Sequence, residues 1–471
     1  MNYDGRNNDW SHEAIEKYYN RANTEDFMMF ISNVISPLQK RMGKVMNPLA
    51  RSITIQVTDA CNLCCSYCYQ INKGKNVLSL EDGKKFIDLL LTDDTSINSH
   101  INGENSDIVI VDFIGGEPLL EIDLIDQITD YFVQRMIELN HPWLTLYQLS
   151  VGTNGTLYFD PRFQKYINKH KGKLSINITV DGNKPLHDSC RVFADGSGSY
   201  DLAIAAVKHW TEFSGITIPS TKLTIAPENV KYLSQAIINM IDLGFVNINE
   251  NCVYEEGWKL EDASLLYSEL KKVADYLIDN NMERDHTLKI FNPDWYRPMD
   301  PNENQNWCGG DGRMLAIDPH GNLFNCLRFM ESSLGSSAEP LTIGHVDRGI
   351  GITEKDKKNL HCMQCITRRS QSTDECFNCP VAMGCGWCTG YNYQIFGTCD
   401  KRSTFICDVH KAASLANTYF WNKIFVKYSN EDDVARKTRV RINCPKDDAI
   451  NIVGQDEYDM LLNLSKKEEE S

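Results

Sequence analysis

The stretch that decides the fold and the chemistry of this chain is TDACNLCCSYCY, residues 58–69, which follows the apolar run SITIQVT at 52–58. Within it, Cys61, Cys65 and Cys68 have the spacing Cys-x3-Cys-x2-Cys. Three thiolates can bind three irons of a 4Fe-4S cluster, which leaves the fourth iron open for another ligand. Cys64 offers an alternative pair with Cys61 for zinc or thiol exchange, but no second pair or histidine lies nearby in sequence. The spacing therefore predicts an iron-sulfur site after the first strand.

Working outward from this loop, apolar and often β-branched runs alternate with helix-like stretches. The predicted strands lie at 52–58, 108–114, 146–152, 174–180, 222–226 and 246–253. This alternation is typical of parallel βα units with right-handed crossovers. Six units predict an α/β fold with a partial (β/α)6 barrel rather than a complete eight-stranded one. Chemistry in such a barrel belongs at the carboxyl ends of the strands.

The remaining sequence surrounds this barrel, and the whole chain divides into five predicted parts. They are an N-terminal helical segment at 1–50, the barrel at 51–260, a linking helix and bridge at 261–307, a loop-rich, cysteine-dense domain at 308–410, and a C-terminal helix with a charged tail at 411–471. The cysteine-dense part is poor in long periodic runs, so we expect it to wrap around metals rather than around an apolar core.

Composition limits the classes of partner. The chain has 471 residues with 48 basic and 64 acidic side chains, a net charge of −16. An acidic surface disfavours nucleic acid, because that affinity rests on clustered Lys and Arg. No apolar run approaches the length of a membrane helix, so we expect no membrane partner. The 17 cysteines are an odd number in a large chain, which favours metal or redox chemistry over disulfides and predicts a reducing cytoplasm.

The cluster loop resembles the motif of the radical SAM superfamily, in which an aromatic residue, here Tyr67, precedes the last cysteine. The resemblance implies that the open iron binds the amino and carboxylate groups of S-adenosylmethionine (SAM). Reduction of the cluster then yields a 5′-deoxyadenosyl radical that removes a hydrogen from the substrate. Cys64 is a spare thiol in this interpretation.

Motifs after the next strands agree in position with the same superfamily. Gly115-Gly116-Glu117-Pro118 resembles the GGEP motif, and its carboxylate is expected to accept from the cofactor's amino group. Gly152-Thr153-Asn154-Gly155 resembles the ribose-contacting segment. Thr179-Val-Asp181-Gly182, His187-Asp188 and Arg191 resemble the next motif, with Arg191 a candidate for the methionine carboxylate. Taken singly, each motif is as consistent with a capped strand-to-helix turn. The candidate cofactor-binding residues are Tyr67, Gly115, Gly116, Glu117, Pro118, Thr153, Asn154, Thr179, Asp181 and Arg191.

The second group of cysteines resembles the SPASM extension of radical SAM peptide-modifying enzymes, which usually houses two auxiliary 4Fe-4S clusters. The resemblance implies that one cluster is bound by Cys308, Cys326 and Cys388, and the other by Cys376, Cys379, Cys385 and Cys407. With the first cluster, three clusters are expected. The last spacing is Cys-x2-Cys instead of Cys-x3-Cys, and Cys362, Cys365 and Cys399 are surplus. Cys362 or Cys365 could complete the nearer cluster; otherwise an iron stays open for a substrate thiolate. One or two zinc ribbons are the structural alternative.

The layout resembles maturases of Cys-x-x-x repeat peptides, including thioether-forming sactipeptide and ranthipeptide enzymes. A precursor peptide rich in cysteine and an electron donor such as flavodoxin or ferredoxin are the expected partners. The rivals are a formylglycine-generating enzyme for sulfatases, which would carry Asp where Leu327 stands, and a C–C or C–O peptide crosslinker. A non-catalytic iron-sulfur or zinc-ribbon protein is the alternative from another class.

No catalytic base is assigned; Asp181, Glu255, Glu256 and Arg328 stand at plausible places. Residues 1–50 are expected to be too short for a leader-binding winged helix, so leader binding would use this segment, an insertion or a separate protein.

Overall fold

The computed structural model describes residues 50–92, 108–215, 220–255, 257–306, 308–311, 314–428 and 440–466. The helical segment expected before residue 50, the tail after residue 466 and Glu256 lie outside the described residues. No described helix has both the length and the apolar character needed to cross a bilayer.

Six of the strands found in the first half of the chain match the predicted ones to within two residues. They are β1 Ala50–Thr58, β2 Ile108–Gly115, β3 Tyr147–Thr153, β4 Leu174–Ile178, β5 Ser220–Ile225 and β6 Asn247–Cys252. A short β7, Thr287–Leu288, was not expected and pairs parallel with β6. Strands β1 to β4 are parallel neighbours in one sheet, and β5 to β7 are parallel neighbours in another. Within each sheet the carboxyl ends of these strands therefore lie at one edge. The predicted partial barrel is confirmed.

Helices cover the outside of these strands. In chain order they are α1 Leu80–Thr92, α2 Ile122–Glu138, α3 Pro161–His170, α4 Lys184–Cys190, α5 Tyr200–Ser214, α6 Leu233–Asp242 and α7 Leu260–Asp279. The helix α2 shows why they dock: its apolar side chains recur every three or four residues, and Ile125, Ile128 and Phe132 are fully buried against the sheet. Ile53, Ile55 and Val57 of β1 are buried to the same degree.

The cysteine-dense part joins the barrel sheet instead of standing apart. Its strands are β8 Met314–Ile317, β9 Asn322–Phe324, β10 Gly344–His345 and β11 Gly349–Ile350, and β8 pairs parallel with β1 along Ser52–Ile55. Its helices are short: α8 Glu331–Leu334, α9 Glu354–Gln364, α10 Arg368–Gln371, α11 Asp374–Phe377 and α12 Thr389–Phe396. The sheet is therefore continuous across the boundary expected at residue 308.

The C-terminal part holds more structure than the predicted helix and tail. The expected helix is α13, Cys407–Tyr428, which packs on α7, and two further helices follow, α14 Lys446–Val453 and α15 Gln455–Lys466. Tyr267 of α7 donates to Glu457 of α15 at 2.6 Å, and Leu461 is fully buried. These contacts join positions almost 200 residues apart, which explains why local sequence did not reveal them.

Candidate functional site

The loop that follows β1 is held from two sides. The backbone N–H of Cys64 donates to the carbonyl of Val192 at 2.7 Å, and the N–H of Ser66 donates to the carbonyl of Cys190 at 3.0 Å. Thr58 at the end of β1 accepts from the N–H of Ala60 through its hydroxyl. The cysteine loop is thus fixed between β1 and the segment after α4.

The structure groups the three predicted thiols and leaves out the fourth. Burial raises the pKa of the Cys65 thiol to about 11, while the Arg191 guanidinium opposes this and the Cys68 and Cys61 thiols add to it. Burial likewise raises the pKa of Cys61, and Cys68 adds to that rise. Cys64 is exposed. A thiolate-stabilising cation, such as iron, would remove the desolvation penalty that these groups carry.

The thiol spacing is too wide for one zinc ion. Among the described residues, no three cysteine sulfurs lie within 4.8 Å of one another. A tetrahedral zinc with bonds of about 2.3 Å needs sulfurs about 3.8 Å apart. A four-iron cluster has its metal ions at separate corners and accepts more widely spaced thiolates. The donor set therefore fits an iron-sulfur cluster better than the zinc alternative.

The second glycine of the GGEP motif lies directly on the cluster loop. The N–H of Gly116 donates to the Thr58 carbonyl at 3.0 Å, and the N–H of Glu117 donates to the Ala60 carbonyl at 2.8 Å. A Cβ atom on Gly116 would come within 2.3 Å of the Ala60 carbonyl oxygen. Glycine is required here because the end of β2 and the cysteine loop are in backbone contact.

The Glu117 side chain ties the ends of β2 and β3 together. Its buried carboxylate accepts from the N–H of Leu119 at 3.1 Å, the Thr153 hydroxyl at 2.7 Å and the N–H of Asn154 at 2.8 Å. Asn154 in turn donates to Asn62 of the cluster loop at 2.8 Å. A carboxylate offers about four acceptor sites, so one remains for a ligand. The expected contact with the cofactor's amino group stays a prediction.

Tyr67, Asp181 and Arg191 form one unit beside the cluster thiols, a link that the separate motifs did not reveal. Arg191 Nε donates to Asp181 Oδ2 at 2.6 Å, and the Tyr67 hydroxyl donates to the same oxygen. The guanidinium lies over the Tyr67 ring at 5.4 Å and its Nη1 is 3.8 Å from Cys65 Sγ. Thr179 is tied to β3 through its N–H, which donates to the Thr153 carbonyl at 3.1 Å. The Nε–H of Arg191 is thus occupied by Asp181, while Nη1 lies near the cluster loop.

A cavity of about 410 Å³ adjoins the cluster loop at the rim of the barrel. Tyr67, Cys68 and Tyr69 form one wall, the ends of β5 and β6 form another, and Arg328 and Gln394 of the cysteine-dense part close it. A larger cavity of about 550 Å³ lies between α7, β7 and α13 and touches none of the predicted site residues. The smaller cavity is therefore the candidate substrate site.

Two of the four candidate polar residues meet in this cavity. Arg328 Nη2 donates to Glu255 Oε1 at 3.1 Å, and the guanidinium lies 5.4 Å from the Tyr69 ring and 5.8 Å from the Tyr391 ring. Asp181 is fully buried in its pair with Arg191. Sequence alone did not distinguish the four candidates, because Glu255 and Arg328, which pair here, are 73 residues apart.

Thiols of the cysteine-dense part interact with one another in the structure. Burial raises the pKa of Cys326 to about 12, with Cys308 and Cys388 adding to the rise. Burial raises the pKa of Cys407 to about 12, and the Cys385 and Cys376 thiols add to this rise. Burial also raises the pKa of Cys379, and the Cys376 thiol adds to it. Arg402 donates to Cys385 Sγ at 3.0 Å. Iron binding by these two groups stays a prediction.

Comparison with known proteins places the chain beside radical SAM enzymes. No protein-family model matches the sequence. An uncharacterized protein of Methanocaldococcus jannaschii is 27% identical over 200 residues, which are 42% of this chain and 61% of that protein. The radical SAM cyclopropyl synthase TigE of Paramaledivibacter caminithermalis is 22% identical over 77% of this chain and 72% of its own length. A serine-type anaerobic sulfatase-maturating enzyme of Bacteroides thetaiotaomicron is 24% identical over 36% of this chain and 40% of that enzyme.

Solved structures support the fold. A structure of native anSMEcpe with bound AdoMet has a TM-score of 0.57 at 16% identity, covering 82% of this chain and 100% of that one. The same protein with bound AdoMet and Cp18Cys peptide has a TM-score of 0.56 at 14% identity, covering 83% and 100%. The predicted relationship to radical SAM enzymes is confirmed by the named relatives, and the predicted barrel by the structural match.

Proposed function

We propose that this chain is a radical SAM enzyme that modifies a ribosomally made, cysteine-containing peptide and joins a Cys sulfur to a carbon of another residue. The observation that carries the proposal is the cavity in which Cys68 of the first thiol group faces Arg328 of the cysteine-dense part. A substrate residue in this cavity would lie between one thiol group that serves radical formation and another that serves electron transfer.

The residues at the barrel rim fit the cofactor pair. Cys61, Cys65 and Cys68 would hold the cluster, and the donors of Arg191 that Asp181 leaves available suit a carboxylate. When bound, the cluster and SAM together supply a 5′-deoxyadenosyl radical that removes a hydrogen atom from carbon. Glu117 holds the ends of β2 and β3 in register with the loop, and its remaining acceptor site suits an ammonium group.

The protein's own part in the reaction is to orient the peptide and exclude water. Tyr69 and Tyr391 flank the Arg328 guanidinium, so a peptide carbonyl could accept from its donors while an apolar side chain packs on the rings. Glu255, paired with Arg328, is the carboxylate of the cavity that could accept a thiol proton. Each crosslink loses one S–H and one C–H bond and gains one S–C bond. The hydrogen atom would go to 5′-deoxyadenosine and the thiol proton to Glu255 or water. An auxiliary 4Fe-4S cluster held by the cysteine-dense part would take the last electron; we propose three clusters in all.

The relatives favour peptide chemistry but differ in the bond. TigE, which spans most of this chain, is named for cyclopropane formation, so a carbon-carbon bond is the second candidate. The sulfatase-maturating relative and the peptide-bound anSMEcpe structure favour formylglycine formation as the third. The position after Cys326 disfavours formylglycine formation, because Leu327 packs against an apolar cluster and offers no base. An external electron donor such as flavodoxin or ferredoxin would supply the reducing electron.

The test is an anaerobic reaction of the reconstituted protein with SAM, a reductant and a synthetic peptide that carries Cys-x-x-x repeats. We expect 5′-deoxyadenosine and a product lighter by two hydrogens per crosslink, with one fewer thiol open to alkylation. A product with the same mass loss but all thiols alkylated would favour the carbon-carbon candidate. A matched peptide with Ser in place of Cys should stay unmodified. An unchanged Cys peptide beside cleaved SAM would contradict the proposal.

A further inference from the structure

Asn325 is a buried polar residue that lies directly before Cys326 and has no part in the reaction proposed above. Its side chain is fully buried, and neither its Oδ1 nor its Nδ2 atom has a hydrogen-bond partner among the described residues. A buried amide without partners is costly, because it has lost its bonds to water and has gained none in return. Such a group indicates that the complete protein supplies a partner at this point.

Two other buried amides of the cysteine-dense part are paired, so a general lack of partners does not explain Asn325. Asn359 donates to the Thr342 carbonyl at 2.7 Å. Gln371 donates to the Cys399 carbonyl at 3.2 Å. The unpaired amide is therefore a local feature of the segment that carries Cys326.

The backbone on both sides of Asn325 is fixed. Strand β9 ends one residue before it, and the N–H of Ile343 donates to the Leu323 carbonyl at 2.8 Å. On the other side, the N–H of Phe329 donates to the Cys326 carbonyl at 3.1 Å. Because both flanking segments are held, the side chain cannot turn outward to water without breaking these bonds.

Asn325 and the Cys308 thiol converge on the same short turn. A Cβ atom on Gly310 would lie 3.5 Å from Cys308 Sγ and 3.8 Å from Asn325 Cβ. Burial raises the pKa of Cys326, and the Cys308 and Cys388 thiols add to this rise, so the three thiols lie near one another. The unpaired amide therefore lies beside the thiols that the resemblance assigns to one auxiliary cluster.

We propose that Asn325 is a positioning residue for an auxiliary 4Fe-4S cluster at Cys308, Cys326 and Cys388, and that its amide donates a hydrogen bond to a sulfur of that cluster. This inference deepens the proposed function and rests on its assignment of a cluster to these three cysteines. Hydrogen bonds to the sulfurs are one of the ways in which a protein sets the reduction potential of such a cluster. A donor stabilises the reduced state, because that state carries more negative charge, so it raises the potential.

The bond would help this cluster to take the last electron of the crosslinking reaction. Arg328 acts in the same direction, because its guanidinium interacts with the Cys388 thiol and its backbone N–H is hydrogen-bonded to Cys326. A positive charge and N–H donors both favour the more negative, reduced state. Asn325 would add a further donor on the side of Cys308.

The test is a redox titration, followed by EPR, of the reconstituted full-length protein and of Asn325→Leu, in which the new side chain has nearly the same shape and no polar atom. We expect the potential of one cluster to fall by about 59 mV, a tenfold loss in the equilibrium constant of its one-electron reduction. The other potentials and the iron content should not change. The affected cluster should be the one whose signal is lost in Cys326→Ala.

Thr221→Val is the matched control. It removes a buried hydroxyl of β5 that also has no hydrogen-bond partner among the described residues, at a position in the barrel. All potentials should stay at their wild-type values in this variant. Its melting temperature should rise, because an unpaired buried polar group is replaced by an apolar one of similar shape.

The opposite results would overturn the inference. If Asn325 has no partner in the iron-loaded protein, Asn325→Leu should raise the melting temperature as Thr221→Val does, and no potential should move. A wild type with about eight irons per chain instead of about twelve, and no signal sensitive to Cys326→Ala, would overturn the inference together with the cluster assignment. A shifted potential in a protein that leaves the Cys peptide unmodified would support the inference and contradict the proposed crosslinking.

A second measurement decides the question if Asn325→Leu does not fold. Protein grown with asparagine that carries ¹⁵N in its side-chain amide should show, in pulsed EPR of the reduced wild type, a ¹⁵N coupling at the cluster that Cys326→Ala removes. Asn325→Ser, which has a smaller side chain and no amide, should lose this coupling. Absence of the coupling in the labelled wild type would overturn the inference.

Discussion

The barrel and the cysteine-dense part use the same residue type for opposite purposes. The barrel rests on fully buried strand residues such as Ile55 and Phe113, and its helices run to 20 residues in α7. The cysteine-dense part has a second core of eight buried residues and three helices of only four residues. Other apolar residues of this part, such as Leu315, Ile317 and Leu323, belong to the core of the barrel. We expect thiol ligation to order the loops that neither core holds. We therefore expect the barrel to keep its fold without metal, and the loops around the thiols of the cysteine-dense part to depend on it.

The largest expected effect tests the first half of this comparison. Replacing Cys61, Cys65 and Cys68 together by Ala should abolish 5′-deoxyadenosine formation, a loss of more than about 1,000-fold, because the radical source is gone. The melting temperature should change little, since these side chains lie in a loop held by backbone bonds to Val192 and Cys190. Product analysis and calorimetry measure the two quantities. A large fall in melting temperature would mean that the barrel also depends on its metal.

The second prediction tests the other half. Cys376→Ala with Cys385→Ala should free the backbone of residues 374–407 and raise its hydrogen exchange, at a local cost of more than about 5 kcal/mol. The strands β1 to β4 should keep their protection. Peptide-resolved hydrogen exchange measures both regions in one sample. Equal protection of the variant and the wild type in residues 374–407 would contradict a metal-dependent scaffold.

Sequence alone predicted the barrel better than the cysteine-dense part, because local patterns mark the barrel strands while contacts between distant residues shape the other part. The local apolar pattern predicts a strand such as β1, and the spacing of Cys61, Cys65 and Cys68 predicts the site in the loop after it. The division of the thiols of the cysteine-dense part into two groups rests on resemblance and stays a prediction. Its parallel pairing of β8 with β1, and the links of Tyr67 to Asp181 and of Arg328 to Glu255, join distant positions. Such tertiary contacts have no local signature.

The third prediction concerns the one buried ion pair of the cluster site. Arg191→Met should destabilise the barrel by about 3–5 kcal/mol, because the fully buried Asp181 would lose its charged partner and be left with the Tyr67 hydroxyl. Arg191→Lys preserves the charge and should lose less. Urea unfolding of the two variants measures the difference. Equal stability of the Met variant and the wild type would show that the pair is not a structural element of the barrel.

The fourth prediction addresses the contact that joins the two parts across the cavity. Glu255→Gln weakens the bond to Arg328 and should slow peptide modification about tenfold, or about 1.4 kcal/mol, without changing SAM cleavage in the absence of peptide. Glu228→Gln is the matched control, since Glu228 lines the same cavity on the β5 side. Single-turnover assays with and without peptide separate the two steps. An equal loss in both variants would deny a specific role to the Glu255–Arg328 pair.

The smallest expected effect tests whether the free energy of unfolding of the barrel depends on pH through an ordinary buried side chain rather than through thiol ligation. The Nδ1 atom of His187 accepts from the N–H of Asp181 at 3.2 Å, Nε2 lies 3.0 Å from Ser199 Oγ, and burial lowers the pKa to about 4. An unfolded histidine has a pKa of about 6.5, so between pH 6.5 and 4 the unfolded chain binds more protons and stability falls as pH falls. From pH 7 to 5.5 this amounts to about 1 kcal/mol. His187→Gln removes the titration while leaving the thiols in place, so the loss of unfolding free energy over that interval should shrink by the same amount. If the variant and the wild type lose equal stability in urea unfolding at the two pH values, acid acts on the chain through a group other than His187.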